Sequence, residues 1–163
     1  MLQRKLMLRQ ATLLLVLLLI TGFVFTNNSY SQDKWWKEKR YRNEYTRIKY
    51  ELCKKTFKDI GSGLTYKNVG SIDQYFDSQV YLNIISNEKG YYSSNQAELI
   101  LQDFMDYFTV QSFRYLRSSR FNTYAFVNGI YTYSIGSGRR DLKVAISLKY
   151  YNDRWYVDQI EIN

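Results

Sequence analysis

Leu142, Val144, Ile146, Leu148 and Tyr150 alternate without a break with Lys143, Ala145, Ser147 and Lys149. Successive side chains of a strand point to opposite faces, so this period of two makes an antiparallel strand with one face in a core and the other toward water. The surrounding sequence repeats the theme. Gln111 to Arg117 and Asn122 to Ser134 are rich in Tyr, Phe, Thr and Val, with a hairpin-like Ser118-Ser119-Arg120 between them. Residues 135–140 and Asn152-Asp153-Arg154 read as turns, and Trp155 to Ile162 as the last strand. In that strand Val157 is followed by Ile160 and Ile162, which breaks alternation and predicts a bulge near Asp158 and Gln159.

Helical patterns come first in the chain. From Asp33 to about Ile60 there is no Gly or Pro, and Tyr41, Tyr45, Ile48 and Leu52 line up on one helix face that calls for something to pack on. Gly61-Ser62-Gly63 predicts its stop. Ser71 with Gln74 reads as a capping box opening a short helix with Ile72, Tyr75 and Phe76 inward. Gln79 to Ser86 reads as a strand closed by a turn at 87–90. Asn95 with Glu98 reads as the cap of a core helix whose face is Ala97, Ile100, Leu101, Phe104 and Phe108. Helices followed by a four-stranded antiparallel meander predict an α+β fold, with a curved sheet wrapped around the helix of residues 95–108.

Arg4, Lys5 and Arg9, then the apolar run Ala11 to Phe25, then a polar stretch ending in Ser29-Tyr30-Ser31 have the order of a secretory signal peptide. The run is 15 residues, short of the roughly 20 that span a bilayer. Residues 1–31 are therefore expected to be a signal peptide, with an uncleaved anchor as the alternative. Residues 32–49 are assigned to a charged helical extension and 50–163 to a single domain. Either way the domain is expected outside the cytoplasm, periplasmic or extracellular, or anchored facing outward.

Composition closes off several chemistries. The chain has no His and one Cys, which removes Ser-His-Asp, Cys-His and His-ligand sites, zinc-ribbon spacing and any internal disulfide. No metal or cofactor is expected, and Cys53 reads as a structural, half-buried thiol. The net charge of +8 sits in the N-terminal third: residues 33–59 hold ten Lys or Arg against five acids, whereas 60–163 hold ten of each. A phosphate-tracking surface needs a basic face on the folded domain itself, so nucleic acid is not the expected partner. Arg114, Arg117, Arg120, Arg139 and Arg140 read as surface charge, as do Asp103 and Asp106.

Ile72-Asp73-Gln74-Tyr75-Phe76, Val80-Tyr81-Leu82-Asn83 and Gly90-Tyr91-Tyr92-Ser93 running into Gln96 to Phe104, with Trp155 to Ile160 at the end, carry a family likeness. Over about residues 50–163 the chain resembles a domain-of-unknown-function family of small exported bacterial proteins within the nuclear transport factor 2-like superfamily. The resemblance implies a cone-shaped α+β fold in which a curved sheet encloses a helix and often a pocket. It implies no activity. Superfamily enzymes such as ketosteroid isomerases use a pocket Asp, or an Asp-His pair, with Tyr hydroxyls, and the His is missing here. The long charged helix from Asp33 has no counterpart in that pattern.

Two functions stay open on this reading. One is a non-enzymatic exported binding or assembly module acting through its curved sheet and N-terminal charged helix. The other is a pocket protein that binds or converts a small apolar ligand inside the cone. For a pocket, the candidate lining residues are Phe104, Phe108, Asp158 and Tyr156, with Asp158 re-aimed by the bulge. For an interface, they are Val127, Tyr131 and Tyr133, expected on the outer face of their strand, with Trp35 and Trp36 on the charged helix. The expected partners are a second copy or another protein on the sheet, and a membrane surface along the helix, where Trp, Lys and Arg interleave.

Overall fold

The computed structural model describes residues 44–163 apart from 86, 87 and 137. The expected leader and the two tryptophans Trp35 and Trp36 lie outside the described residues. Among the described residues, the elements in chain order are helices α1 (Glu44–Tyr66) and α2 (Gly70–Asp73), strands β1 (Phe76–Ile84) and β2 (Glu88–Ser93), helix α3 (Ser94–Tyr107), and strands β3 (Val110–Arg120), β4 (Tyr124–Ile135), β5 (Gly138–Tyr151) and β6 (Arg154–Ile162). The strands form one curved, unclosed sheet in the order β2-β1-β6-β5-β4-β3. The expected meander is present as β3 to β6. A hairpin, β1 and β2, extends it, with β1 parallel to β6 and every other neighbouring pair antiparallel. Tyr91 and Tyr92, read as a lead into the helix, instead belong to β2, opposite Tyr81 and Val80.

The alternation in β5 is realised: Leu142, Val144, Ile146 and Leu148 are buried. In β6, Ser147 opposes Gln159 while Leu148 opposes Val157, so Asp158 is the extra residue of a bulge where one was expected. The bulge resets the phase of the strand. Trp155, Val157, Ile160 and Ile162 all reach the core in spite of the uneven spacing. Helix α3 contributes Ala97, Leu101, Phe104 and Met105 to that core. Its start is two residues earlier than expected: Gln96 Oε1 accepts from the Ser93 backbone N–H at 3.1 Å and from the Ser93 hydroxyl at 2.9 Å, the reciprocal capping role assigned to Asn95 and Glu98. Ser71 does not cap α2, whose N-cap is Val69; Gln74 donates to the Ser71 carbonyl instead.

Helix α1 runs through Gly61 and Gly63 rather than stopping there. These glycines make room. A Cβ on Gly61 would lie 3.0 Å from the Tyr115 ring, and one on Gly63 2.6 Å from Ile72 and 2.8 Å from the Asn68 carbonyl. The stop comes later, with Lys67 in the left-handed region at φ 55° and the Asn68 N–H closing onto the Gly63 carbonyl at 2.9 Å. The buried stripe of α1 is Lys49, Cys53, Thr56, Phe57, Ile60 and Leu64. Tyr45, Ile48 and Leu52, whose face called for something to pack on, are 55%, 50% and 38% exposed. Because Lys49 is buried, the packed body reaches into the segment assigned to the extension.

Asp59, Lys55 and Tyr75 tie α1 to the segment that opens β1. The Tyr75 hydroxyl donates to Asp59 Oδ2 at 2.5 Å, and Lys55 Nζ donates to the same oxygen at 2.6 Å and to the Tyr75 oxygen at 3.2 Å. Partial burial lifts the Asp59 pKa, but the bonds from Lys55 and Tyr75 and the charges of Lys55 and Lys58 outweigh it and hold the carboxyl below its ordinary range. A depressed native pKa gives stability that is complete above the unfolded value of about 4 and lost as pH falls through the native value. Asp59→Asn is expected to lower stability at neutral pH and to flatten the acid limb of the stability profile. Denaturant midpoints measured on both proteins from neutral to acid pH check this; parallel acid limbs would contradict it.

Candidate functional site: the filled interior and the outer sheet face

The concave side of the sheet is where a pocket would lie, and aromatic rings occupy it. Phe104 is buried with its ring 5.0 Å from Phe108 and 5.3 Å from Tyr131, and Phe108 meets Tyr133 at 4.9 Å. Nearer α1, Tyr115 packs on Phe113 at 4.9 Å and on Phe57 at 6.1 Å. Two of the phenols here are bound to backbone carbonyls. Tyr131 donates to the Phe108 carbonyl at 2.9 Å and Tyr115 to the Phe57 carbonyl at 2.6 Å. Burial pushes the Tyr131 pKa up to about 12 and that of Tyr115 higher still, so both hydroxyls keep their protons at neutral pH. The buried polar and charged residues among those described are Lys49, Thr56 and Ser147, with no carboxylate among them.

The structure separates the four residues expected to line a pocket. Phe104 and Phe108 are inside as filling. Asp158 and Tyr156 are not in the cone: alternation about the bulge places them on the opposite, outer face, where Asp158 pairs with Lys149 at 3.5 Å and Tyr156 stacks on Tyr151 at 4.6 Å. The Tyr151 hydroxyl donates to Asp77, and chiefly that bond holds the Asp77 carboxyl below its ordinary range.

The expected interface residues of β4 are corrected in the other direction. Val127, Tyr131 and Tyr133 are 2%, 0% and 5% exposed and belong to the core. Both parities of β4 carry apolar groups, but only the other one also holds Asn128, Thr132 and Ser134, and that polar content marks the outer face. Gly129, on the inner parity, admits Phe113: a Cβ there would be 2.9 Å from its ring and 2.9 Å from the Arg114 carbonyl.

The outer face has its own order. Ser119, Phe126, Ser147, Gln159, Tyr81 and Tyr91 stand in one row across all six strands. Tyr81 and Tyr91 meet edge-on at 5.2 Å, and Tyr91 and Tyr124 are exposed. Ser147 is buried in the middle of this row, and its hydroxyl has no hydrogen-bond partner among the described residues.

One further cluster escaped the sequence reading. Lys49 Nζ lies 3.9 Å from the centre of the Tyr150 ring and 5.9 Å from that of Trp155, and donates to Asn122 Oδ1 at 3.2 Å. Burial lowers its pKa, partly offset by Asp153. Trp155 Nε1 donates to the Lys49 carbonyl at 2.8 Å, and the Tyr45 hydroxyl to Asp153 at 2.9 Å. With its ammonium held by an aromatic face and an amide, Lys49 pins α1 to the β5–β6 end of the sheet. Its place four residues before Cys53 on the buried stripe was the available signal. Among the described residues there is no cluster of three or more His, Cys, Asp or Glu that could hold a metal, and no helix long and apolar enough to cross a membrane.

Residues 57–163 match the family described as Domain of unknown function (DUF4783). The chain belongs to the DUF4783 family. A DUF4783 family protein from Bacteroides uniformis is similar at 20% identity and TM-score 0.59, over 65% of this chain and 94% of that one. Another, from Bacteroides ovatus, is similar at 17% identity and TM-score 0.57, over 64% of this chain and 90% of that one. A protein described as Rd1NTF2_04 with long sheet is similar at 12% identity and TM-score 0.56, over 68% of this chain and 98% of that one. At these identities the likeness is one of fold, and it makes this DUF4783 chain an α+β protein of the nuclear transport factor 2-like type. No curated protein matches it.

Proposed function

We propose that the chain is an exported, non-catalytic binding or assembly module whose outer sheet face holds a protein partner, a second copy being favoured over another protein. The observation that carries this reading is the inside-outside contrast. Inside the cone Phe104, Phe108, Tyr131 and Tyr133 pack ring against ring, and the Tyr131 and Tyr115 phenols are bound to backbone carbonyls, so these side chains are engaged by the core. The outer face presents Phe126, Tyr81, Tyr91 and Tyr156 around the small residues Ala145 and Ser147, a mixture of aromatic area and short side chains suited to close contact. Export is supported by the order of charge, apolar run and small residues before residue 32.

Light scattering of residues 32–163 at micromolar concentration, with and without Phe126→Glu and Tyr156→Glu, tests the reading. The unsubstituted protein is expected to self-associate and the doubly substituted one to be monomeric with an unchanged melting temperature. A monomer in both cases, together with an unchanged profile of native complexes in the host, would remove the outer face as an interface.

A further inference from the structure

Residues 60–163 hold basic and acidic side chains in equal number, and the fold sorts them. Strands β3, β4 and β5 carry seven Lys or Arg and one acid, Asp141, whereas the remainder of that stretch carries three Lys or Arg and nine acids. In the sheet order β5-β4-β3 is one contiguous half and β2-β1-β6 the other. We infer that a second copy covers the outer sheet face about a twofold axis running along the strands between β5 and β6, so that the basic half of each copy lies over the acidic half of the other. This pairing rests on the outer-face reading and adds how the second copy is turned.

On the outer face the basic half presents Arg114, Arg117, Arg139 and Lys143, all exposed and none in an ion pair with another described residue. The other half presents Asp77 and Glu161, bonded by the neutral Tyr151 hydroxyl and Gln159 amide, and Asp158, with Lys89 and Arg154 at the starts of β2 and β6. Asp158 already pairs with Lys149, so Asp77 and Glu161 are the acids left for the cations of a second copy. Two sheets stacked face to face keep their strands roughly aligned, which leaves two ways to apply a twofold axis. An axis across the strands sets β3 to β5 on the same strands of the other copy, cation on cation. An axis along the strands sets β5 over β6, β4 over β1 and β3 over β2. Opposed like charges are costly and complementary ones fix orientation, so charge selects the second arrangement. Lys143 is two residues from Ala145, which opposes Glu161. In the selected arrangement Lys143 of one copy and Glu161 of the other are thus offset by only about 7 Å along the strand, and the contact occurs twice. Area fits a second copy as well. Six strands make up the face, and at about 4.8 Å apart and about 30 Å long they span roughly 850 Å², against ~800 Å² per partner in a stable interface. A nucleic acid would take up the basic half but set its phosphates against Asp77 and Glu161.

Residues 32–163 contain the whole described core, and their sedimentation equilibrium at low and high salt is the test. Arg114→Glu with Lys143→Glu reverses the basic half, and Asp77→Lys with Glu161→Lys the acidic half. Each variant alone is expected to self-associate at least about tenfold more weakly than the unsubstituted protein. An equimolar mixture of the two is expected to associate within about threefold of it, because every half then faces its opposite charge again. Salt is expected to weaken the unsubstituted dimer. Melting temperatures check that the variants fold; if the loss of the Asp77 bond to Tyr151 unfolds the acidic variant, Glu161→Lys alone takes its place in the mixture. A basic-half variant that associates more tightly would put like halves together and overturn the inference. So would a mixture that associates no better than either variant alone. In both cases the outer face remains the interface if Phe126→Glu with Tyr156→Glu still gives a monomer. An unsubstituted protein that stays monomeric removes the second copy and this arrangement together.

Discussion

Tyr131→Glu is expected to unfold the domain. The ring is fully buried against Phe104, and its hydroxyl bonds the Phe108 carbonyl. Removing a buried aromatic ring costs about 3–5 kcal/mol, and a carboxyl group placed there meets no cation, which adds further desolvation cost. Together these approach the ~5–15 kcal/mol that holds an ordinary domain together. Tyr131→Phe keeps the ring and leaves one carbonyl without its donor, for about 1–2 kcal/mol. Far-ultraviolet circular dichroism and urea denaturation of both variants decide the matter. A folded Tyr131→Glu protein with altered association would return this residue to the surface.

Trp155→Ala is expected to cost about 3–5 kcal/mol. The indole is buried beside Tyr150, with ring centroids 5.0 Å apart, and its N–H supplies the bond to the Lys49 carbonyl. The substitution thus opens a cavity and loosens α1 at the same place. Trp155→Phe fills most of the volume without restoring the donor, and is expected to fall between the alanine variant and the native protein. Denaturant midpoints and slopes give the comparison; a loss under about 1 kcal/mol for Trp155→Ala would mean that the helix is not seated there.

What could be read from the residues alone follows a physical division. Strand β5 was legible because polar and apolar residues alternate there with no competing pattern, and the bulge at Asp158 because a slip of one residue must reverse every side chain beyond it. Strand β4 misled because both parities are aromatic, and the difference lay in Asn128 and Ser134 rather than in its tyrosines. Gly61 and Gly63 misled for another reason. A glycine in a helix is read as a stop unless one knows that Tyr115 and Ile72 come close to its missing side chain, and those partners are distant in sequence. Lys49 was hidden by its charge. Of the four pocket residues, the two phenylalanines were placed on the right side of the sheet, and Asp158 and Tyr156 were not, because a bulge tells that a strand changes phase without telling which face it started from.

The parallel pairing of β1 with β6 sets an order of events in time. The strand closest to the C-terminus stands in the middle of the sheet, between β1 and β5, with Ile160 and Ile162 buried and the Ile85 N–H bonded to the Ile162 carbonyl at 3.0 Å. Without residues 154–162 the β1–β2 hairpin and the β3–β5 ladder share no strand pairing and meet only through the helices, as where Phe104 packs on Tyr131 and Tyr115 bonds the Phe57 carbonyl. Residues 154–162 are the keystone that joins them, and their contacts with β1 span most of the domain's length, the kind of long-range closure that makes folding slow. The joining strand thus follows both of the pieces it joins in the chain, and the sheet stays divided in two until it pairs.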